Sequence, residues 1–449
     1  MGYDRCLSRT GSIRFMESEC ALARSQKLSK FPPYKSAPDV IASFRLKQHQ
    51  QQQQQHGGGH VDVSARRPVQ LTSPHRSFRT NDSQHSIASS CPTTHMEPAM
   101  QDIDWQDVVD VDVETCLELT SDMVNDTLSL VFPNLDVASI DAVRALMLHR
   151  DHGFGTFKFD VLALAACLPP HTSSLVLVSH AVFTVMAFDG LDMDILLDWV
   201  RAIDATYDPA IPYHNADHAA DVLHSLYCIF LSTQLRSILS EPMQMAGLLA
   251  AITHDAAHFG RTNAFLTQSK HALSVQYPVC CPLEAMHAAV GLDVLSHHNV
   301  LAHLPTATQD ELRHVMDRAI FTTSLCEQKN LLAALRALEN KSSPDFALVL
   351  LQAAVHAADL GQTTKPFGTH RRWVERLLEE LFCEGDAERA LGWSVPAFRD
   401  RAMGFSAGGQ VYFMENLVLP VFTALHETLE GGLDQVLLQL GANISQWKA

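Results

Sequence analysis

The sequence predicts an all-α domain over residues 106–449, preceded by a disordered, low-complexity tail over residues 1–105. From Asp102 onward, acidic and apolar residues alternate with the period of an α-helix. Alternating β-branched runs, which are typical of strands, are scarce. A chain of 449 residues is long enough to bury a sizeable core. We therefore expect many packed helices and no internal repeat.

Three segments carry the helical pattern most clearly, because their apolar residues recur at spacings of three and four. The apolar faces are Ile195, Leu196, Trp199, Val200 and Ile203; Met286, Ala289, Val290 and Val294; and Phe346, Ala347, Leu350, Leu351, Ala354, Val355 and Ala358. The third helix has a predicted start, with Ser343 as its N-cap and Pro344 as its first residue.

The tail has a composition that is typical of disorder. Gln50 to Gln55 form a homopolymer that three glycines follow at positions 57–59, and Ser, Arg, Pro and Thr dominate after it. Such a segment buries too little apolar surface to offset the chain entropy lost on folding. We expect it to serve in targeting or in binding unknown partners, with no part in chemistry.

Charge is unevenly distributed along the chain, whose net charge is −17. Residues 1–100 carry a net charge of +6, which leaves −23 for the remainder. An acidic body argues against nucleic acid as a partner, because phosphate backbones require a basic surface. A small phosphate ester stays compatible, since bound divalent metal ions would supply local positive charge.

The ten cysteines contain no CxxC pair, which indicates reduced thiols that mostly lie in the core. No run of 18 apolar residues is free of polar interruption, so no transmembrane segment is expected. The nearest case, Ser173 to Phe188, contains His180. We expect a cytoplasmic protein, with a transit peptide or membrane attachment left open. The oligomeric state is also open, and a homodimer is one expectation.

Three short stretches contain His and Asp at spacings that suit a metal site. They are His214, His218 and Asp221; His254, Asp255 and His258; and His356 and Asp359. Residues four apart lie about one helical turn from each other, so each His pair is expected to face one side of a helix. Imidazole nitrogens and carboxylate oxygens are ligands of Zn²⁺ and similar ions. We interpret the three stretches as one metal-centred site, whose face Asp221 orients or completes.

Spacing alone does not establish that site. With 24 His in 449 residues, chance produces about one His pair at a spacing of four. A third such pair, His56 and His60, lies beside the Gln tract and is low-complexity sequence. The spacing therefore supports buried core or capping histidines as well as it supports metal ligands.

The sequence around these residues resembles one family. Four segments look like the signatures of the class I cyclic nucleotide phosphodiesterases and occur in family order: YHNADHAADV, HDAAHFGRTNAFL, HAADLGQTTKPF and GQVYFMENLVLP. The resemblance covers roughly residues 115–449, about one catalytic domain. It implies a compact all-helical metallophosphohydrolase domain of the HD/PDEase type. It also implies hydrolysis of the 3′-phosphoester bond of cAMP, cGMP or both to the 5′-monophosphate, which terminates a signal.

The resemblance implies a two-metal centre. The ligands of the tighter ion, Zn²⁺, would be His218, His254, Asp255 and Asp359. Asp255 would also bridge to a second ion, Mg²⁺ or Mn²⁺, and the two ions would generate hydroxide near neutral pH. The residues that hydrogen-bond the waters of these ions would be His258, Glu284, Thr323 and His287. His214 would be the general acid that protonates the departing 3′-oxygen.

The resemblance also implies a nucleotide pocket. Gln410 would bind the purine edge, Phe413 would stack on the purine, and Leu377 would lie on its opposite face. Tyr213 and Asn263 match positions that support this pocket. Taken singly, Phe413 and Leu377 are more often ordinary core residues, and it is the motif around Gln410 that favours the pocket.

Several positions depart from the family pattern. They are Ala257, Phe259, Ala285, Met286, Ser324, Gln362 and Tyr412. None of them removes an expected metal ligand or the expected acid. They affect the residues expected to hydrogen-bond the metal-bound waters and the expected preference for cAMP or cGMP. That preference stays open because the Gln410 amide suits either purine.

Two alternatives stay open at this point. One is a phosphohydrolase of the broader HD type that acts on another phosphoester, and the other is a nucleotide-binding regulatory protein without activity. The motif with Gln410 and Phe413 argues against the first, since a generic HD enzyme has no need of it. The complete set of ligands argues against the second.

Overall fold

The computed structural model describes residues 119–170, 172–338 and 344–449. These residues form helices and no β-strand, so the all-α prediction is confirmed. The tail over residues 1–105, the domain boundary at residue 106 and the Ser343 N-cap lie outside the described residues.

The described residues contain 18 α-helices. The first nine are α1 Ser121–Val131, α2 Val137–Met147, α3 Val161–Cys167, α4 Ser174–Met186, α5 Met193–Asp204, α6 Ala216–Ser232, α7 Leu235–Ile238, α8 Glu241–Thr253 and α9 Asn263–Ser269. The other nine are α10 Ala272–Gln276, α11 Pro282–His298, α12 Thr306–Phe321, α13 Gln328–Arg336, α14 Pro344–Asp359, α15 Phe367–Ala390, α16 Ala407–Phe413, α17 Leu419–Thr428 and α18 Asp434–Lys448. Short 3₁₀ turns lie at Gly361–Thr364 and Ala397–Arg399, and a π-helical turn lies at Met414–Val418.

Helices α6 and α8 form the centre of the core. Helix α8 packs against α6, α12 and α14, and α6 also packs against α4. Every residue of α8 from Met245 to Thr253 is buried, as expected for a helix that other helices surround. Gly247 permits close packing, because a Cβ at this position would lie 2.6 Å from Leu351 Cδ1 of α14.

The three predicted apolar faces lie on α5, α11 and α14. Trp199, Val200 and Ile203 of α5 are fully buried, in agreement with the predicted face. The apolar segment around His180 is the buried helix α4. Among the residues that the structure describes, no helix combines the length and the apolar character needed to cross a membrane.

The beginning of α6 places two histidines differently. Asn215 is the N-cap, and its side-chain oxygen accepts hydrogen bonds from the backbone N–H groups of Asp217 at 3.0 Å and His218 at 3.3 Å. His214 therefore lies before the helix, whereas His218 lies in its first turn.

The end of α8 separates the second His pair in the same way. His254 is the C-cap residue, and the chain then turns through Ala257, whose φ of +62° is left-handed. Such a conformation costs free energy for a residue with a Cβ, and strain of this kind is found at functional sites. His258 follows this turn and lies outside α8.

The prediction that each His pair shares one helical face is therefore wrong. The pair at His214 and His218 straddles the beginning of α6, and the pair at His254 and His258 straddles the end of α8. The cause is local, because the Asn215 cap and the turn at Ala257 interrupt the helices between the two members of each pair.

Candidate functional site

One cluster of side chains comes from the beginning of α6 and the ends of α8 and α14. The Nε2 atom of His218 lies 3.3 Å from Nε2 of His254 and 3.0 Å from Oδ1 of Asp359. His254 Nε2 lies 3.2 Å from Oδ2 of Asp255 and 3.5 Å from Oδ1 of Asp359. The separation of His218 Nε2 and Asp255 Oδ2 is 3.6 Å. The four predicted ligands of the tighter ion are thus brought together.

The geometry of this cluster fits a shared metal ion. Two ligands of one ion at about 2.0–2.2 Å lie roughly 2.8–3.6 Å apart in octahedral or tetrahedral sites, which matches the observed separations. Asp255 Oδ2 is buried and faces the Nε2 atoms of His254 and His218 at 3.2 and 3.6 Å. A buried carboxylate is costly unless a positive charge compensates it, so this atom indicates a position for a cation.

The orientation of His254 supports the same interpretation. Its Nδ1 lies 2.9 Å from the carbonyl oxygen of Ala251, which accepts the ring N–H and turns Nε2 toward the cluster. Asp221 does not complete the cluster. It forms a buried ion pair with Lys365, at 3.0 Å between Oδ1 and Nζ.

The charges in the cluster favour a bound cation. Burial alone would lower the pKa of His254, but the carboxylates of Asp255 and Asp359 raise it well above its usual value. Burial would raise the pKa of Asp359, yet the hydrogen bonds of His218 and His254 hold this pKa well below its usual range. Asp359 is therefore ionised, and its negative charge favours a cation at this position.

A second cluster, formed by His214, His258 and Glu380, lies beside the first. His214 Nδ1 donates to Glu380 Oε1 at 2.6 Å. Glu380 Oε2 accepts the backbone N–H groups of Tyr213 and His214, both at 3.1 Å. The rings of His214 and His258 are in contact, with centroids 4.2 Å apart and planes inclined at 31°. The carboxylate therefore fixes both the backbone and the ring of His214.

The two histidines of this cluster have opposite pKa shifts. Burial would lower the pKa of His214, but the negative charges of Glu380 and Asp255 raise it to about 9. Burial and the neighbouring charge of His214 lower the pKa of His258 to about 3. At neutral pH His214 carries a proton that it can donate, whereas His258 is neutral.

Glu380 was not predicted from the sequence. It belongs to a row of buried carboxylates on α15 that also contains Glu384 and Glu388, at a spacing of four. This row continues the buried face of Trp373. Arg399 pairs with Glu384 and Glu388, the latter at 3.1 Å. A stripe of acids that continues an apolar face is the signal in the sequence that indicates buried, functional carboxylates.

Both clusters border one cavity of about 950 Å³, which is within the usual size range of ligand pockets. Eleven of the predicted site residues line it: Tyr213, His214, Asp255, His258, Glu284, His287, Thr323, Asp359, Leu377, Gln410 and Phe413. The other two, His218 and His254, lie beneath its surface and are each 1% exposed.

The predicted partners of metal-bound waters lie along one wall. Glu284 accepts a hydrogen bond from Asn263 Nδ2 at 2.8 Å, and burial raises the pKa of Glu284 to about 7. Asn263 Oδ1 also accepts the backbone N–H of Leu283 at 3.0 Å, in keeping with a supporting role. His287 Nε2 points at Asp255 from 3.6 Å. Thr323 Oγ1 donates to the Ile320 carbonyl oxygen at 2.7 Å.

The predicted nucleotide residues lie on α15 and α16. Gln410 and Phe413 are half-buried on α16, just before the π-helical turn. Leu377 of α15 packs against Tyr213 and Trp373. The cavity lining therefore combines the two His clusters with apolar side chains and the Gln410 amide on α15 and α16.

The fold and the His/Asp cluster define an all-helical domain with a candidate divalent-metal centre. The family described as 3′5′-cyclic nucleotide phosphodiesterase matches residues 213–440, which is more than half of the chain. The chain belongs to this family, and the resemblance seen in the four sequence segments is confirmed.

Individual relatives agree with this assignment. The chain is 28% identical over 263 residues to the 3′,5′-cyclic-AMP phosphodiesterase 4C of Mus musculus, a match that covers 56% of this chain and 38% of that protein. The protein of the same description from Rattus norvegicus is also 28% identical over 263 residues, with 49% of its length covered. The match thus spans less than half of these relatives.

A solved structure has the same fold. The structure of LmjPDEB1 in complex with IBMX superimposes with a TM-score of 0.62 at 20% sequence identity, over 70% of this chain and 97% of that one. At this identity the similarity concerns the fold alone.

Proposed function

We propose that this chain hydrolyses 3′,5′-cyclic nucleotides to 5′-monophosphates by breaking the 3′ P–O bond, and thereby ends a signal. The observation that carries the proposal is the cavity where a His/Asp cluster that could hold a metal ion lies beside His214 and its partner Glu380. Membership of the family supports it. The two relatives compared above are described as cyclic-AMP phosphodiesterases, so we propose cAMP as the first substrate, with cGMP as the alternative.

The metal ions would be held by the residues of the first cluster. His218, His254 and Asp359, with Asp255, would hold Zn²⁺, and Asp255 would also face a second ion, Mg²⁺ or Mn²⁺. Bound ions of this kind supply hydroxide at neutral pH and neutralise charge on phosphoryl oxygens. The buried Oδ2 of Asp255, which faces the Nε2 atoms of both His254 and His218, supports this assignment.

His214 would donate the proton to the departing 3′-oxygen. Its side chain is 27% exposed and faces the cavity, whereas Glu380 behind it is 7% exposed. Glu380 keeps the ring protonated and oriented, so it acts as a positioning residue. His258 is a poor donor, since its pKa of about 3 leaves it neutral.

The nucleotide base would occupy the end of the cavity near α16. Phe413 and Leu377 offer flat apolar surfaces, and the Gln410 amide both donates and accepts hydrogen bonds. An amide of this kind serves adenine or guanine according to its orientation. The cytoplasmic location, a homodimer and partners of the tail stay predictions.

Initial rates with metal-loaded protein test the proposal. We expect turnover of cAMP or cGMP to the 5′-monophosphate, identified by chromatography of the product, and none with the Asp359→Ala variant. A linear phosphomonoester serves as the competing substrate. Turnover of the monoester with neither cyclic nucleotide consumed would support the broader HD phosphohydrolase instead.

A further inference from the structure

Three thiols and a carboxylate converge at one edge of the cavity. Cys281 Sγ lies 3.2 Å from Cys280 Sγ and 2.7 Å from Cys326 Sγ. Cys280 Sγ lies 3.9 Å from Cys326 Sγ and 3.9 Å from Glu327 Oε1. All four potential ligand atoms lie within 4.8 Å of one another. The proposed hydrolysis uses none of these four residues.

The backbone around this thiol cluster stabilises negative charge on its side chains. Cys280 and Cys281 immediately precede α11, where Cys281 is the N-cap, and Cys326 and Glu327 immediately precede α13. Two helix N-termini therefore point toward the cluster, and their dipoles stabilise thiolate and carboxylate. Asn330 Nδ2 donates to Glu327 Oε2 at 3.2 Å, which orients the other carboxylate oxygen toward Cys280.

The residues of the thiol cluster differ in how deeply they are buried. Cys281 is fully buried and Glu327 is 2% exposed, whereas Cys326 is exposed at the surface. The exposed side at Cys326 gives an ion a path of entry.

We infer that this cluster binds one Zn²⁺ or a similarly thiophilic divalent ion through three thiolates and the Glu327 carboxylate. A four-ligand zinc site with Zn–S bonds of about 2.3 Å has sulfur–sulfur separations of about 3.8 Å. The separation of Cys280 from Cys326 already matches, and the two shorter ones are reached by small side-chain rotations.

A disulfide explains the cluster less well. It would use two of the three sulfurs and would give no role to the buried carboxylate of Glu327. A bound divalent ion uses all four groups and offsets two of their four negative charges.

The ion would connect two parts of the cavity wall. The loop before α13 contains Thr323 and Ser324, and α11 carries Glu284 and His287. Ser324 Oγ lies 3.5 Å from Cys326 Sγ. A thiolate-bound ion would therefore fix the positions of residues beside the catalytic cavity without taking part in the reaction.

Cobalt substitution of the full-length, reduced protein tests this inference. Tetrahedral cobalt bound by thiolates absorbs in the near ultraviolet through thiolate-to-metal charge transfer, which nitrogen and oxygen ligands do not produce. We expect this band in the wild type, its loss in Cys281→Ser and Cys326→Ser, and its retention in Cys167→Ser, a thiol outside the cluster. Asp359→Ala should also keep the band, which separates this site from the catalytic centre.

Three results would overturn the inference. The first is the absence of the band from the reduced wild type, and the second is its survival in both cluster variants, which would assign it to other thiols. The third is a Cys281–Cys326 linked peptide from the unreduced protein, with the mass loss of two hydrogens, which would establish a disulfide. Because Cys326 is exposed, Cys326→Ser should keep the wild-type circular dichroism and so separates loss of metal from loss of fold.

Discussion

Two neighbouring clusters contain the same kinds of side chain and differ in what their atoms face. In the first, the Nε2 atoms of His218 and His254 face each other at 3.3 Å across carboxylate oxygens. In the second, His214 donates directly to Glu380 at 2.6 Å. In the first arrangement two imidazole nitrogens and two carboxylates converge on one point, and in the second a single carboxylate pairs with one imidazole N–H. On the proposed function, the neighbours of a histidine, more than its presence in a motif, decide whether it serves as a metal ligand or as a proton donor.

The largest effect is expected from the first cluster. Asp359→Ala removes the carboxylate that lies 3.0 Å from His218 and 3.5 Å from His254, so we expect loss of hydrolysis and less bound zinc. Metal analysis of the purified variant together with its turnover checks this. Asp345→Ala, an exposed position in the first turn of the same helix, is the matched control. Unchanged zinc with normal turnover would refute the ligand assignment.

Replacing the proposed acid of the second cluster should lower the rate of hydrolysis and leave the metal content of the protein unchanged. General acid catalysis contributes about 10²–10⁴-fold, so His214→Ala should lower kcat by about that factor while the zinc content stays at the wild-type level. Steady-state kinetics and metal analysis on the same preparation decide the matter. A variant that loses zinc would make His214 a ligand and would merge the two clusters into one.

A pH profile sharpens the distinction. The acid must be protonated, and the His214 pKa of about 9 lies above the usual 6.5, so activity should fall as the pH rises through about 9. Glu380→Gln removes the negative charge that raises the pKa of His214. The fall in activity at alkaline pH should therefore occur at a lower pH in this variant. Glu380→Asp keeps a negative charge and should therefore keep part of the rise in the pKa of His214. Glu379→Gln, on the exposed side of the helix beside Arg401, should leave the profile unchanged. A wild-type profile in Glu380→Gln would contradict its positioning role.

The smallest effect is expected outside both clusters. A chain that begins near Asp102 should keep its rate within a few-fold, because the composition of residues 1–100 predicts no folded structure. Initial rates of the shortened and full chains test this. A shortened chain that folds, as judged by circular dichroism, but has no activity would show that the tail completes the site.

The sequence predicted those parts of the molecule that depend on short stretches. The helical class followed from apolar spacing, and the predicted ligands His254 and Asp255 are adjacent residues at the end of α8. Asn215, a residue type that is common at N-caps, also lies between His214 and His218 in the sequence. The spacing of the two His nevertheless predicts one continuous helix, and this prediction is wrong.

Contacts between distant segments were not predictable in this way. Glu380 meets His214 across 166 positions of sequence, and Cys326 meets Cys281 across 45. Lys365 pairs with Asp221, 144 positions earlier, which is not one of the residues of the first cluster. Such contacts depend on how helices pack, which periodicity does not specify.

The most direct test of the division between the two clusters compares leaving groups. A 3′-oxygen needs a proton in order to depart, whereas nitrophenolate is a stable anion that needs little protonation. The measurement is the ratio of wild-type to His214→Ala rates on a cyclic nucleotide and on a nitrophenyl phosphodiester, with zinc content determined for both proteins. The account predicts a large ratio for the cyclic nucleotide and a much smaller one for the nitrophenyl ester. Equal ratios on the two substrates would contradict it and would require another group to supply the proton.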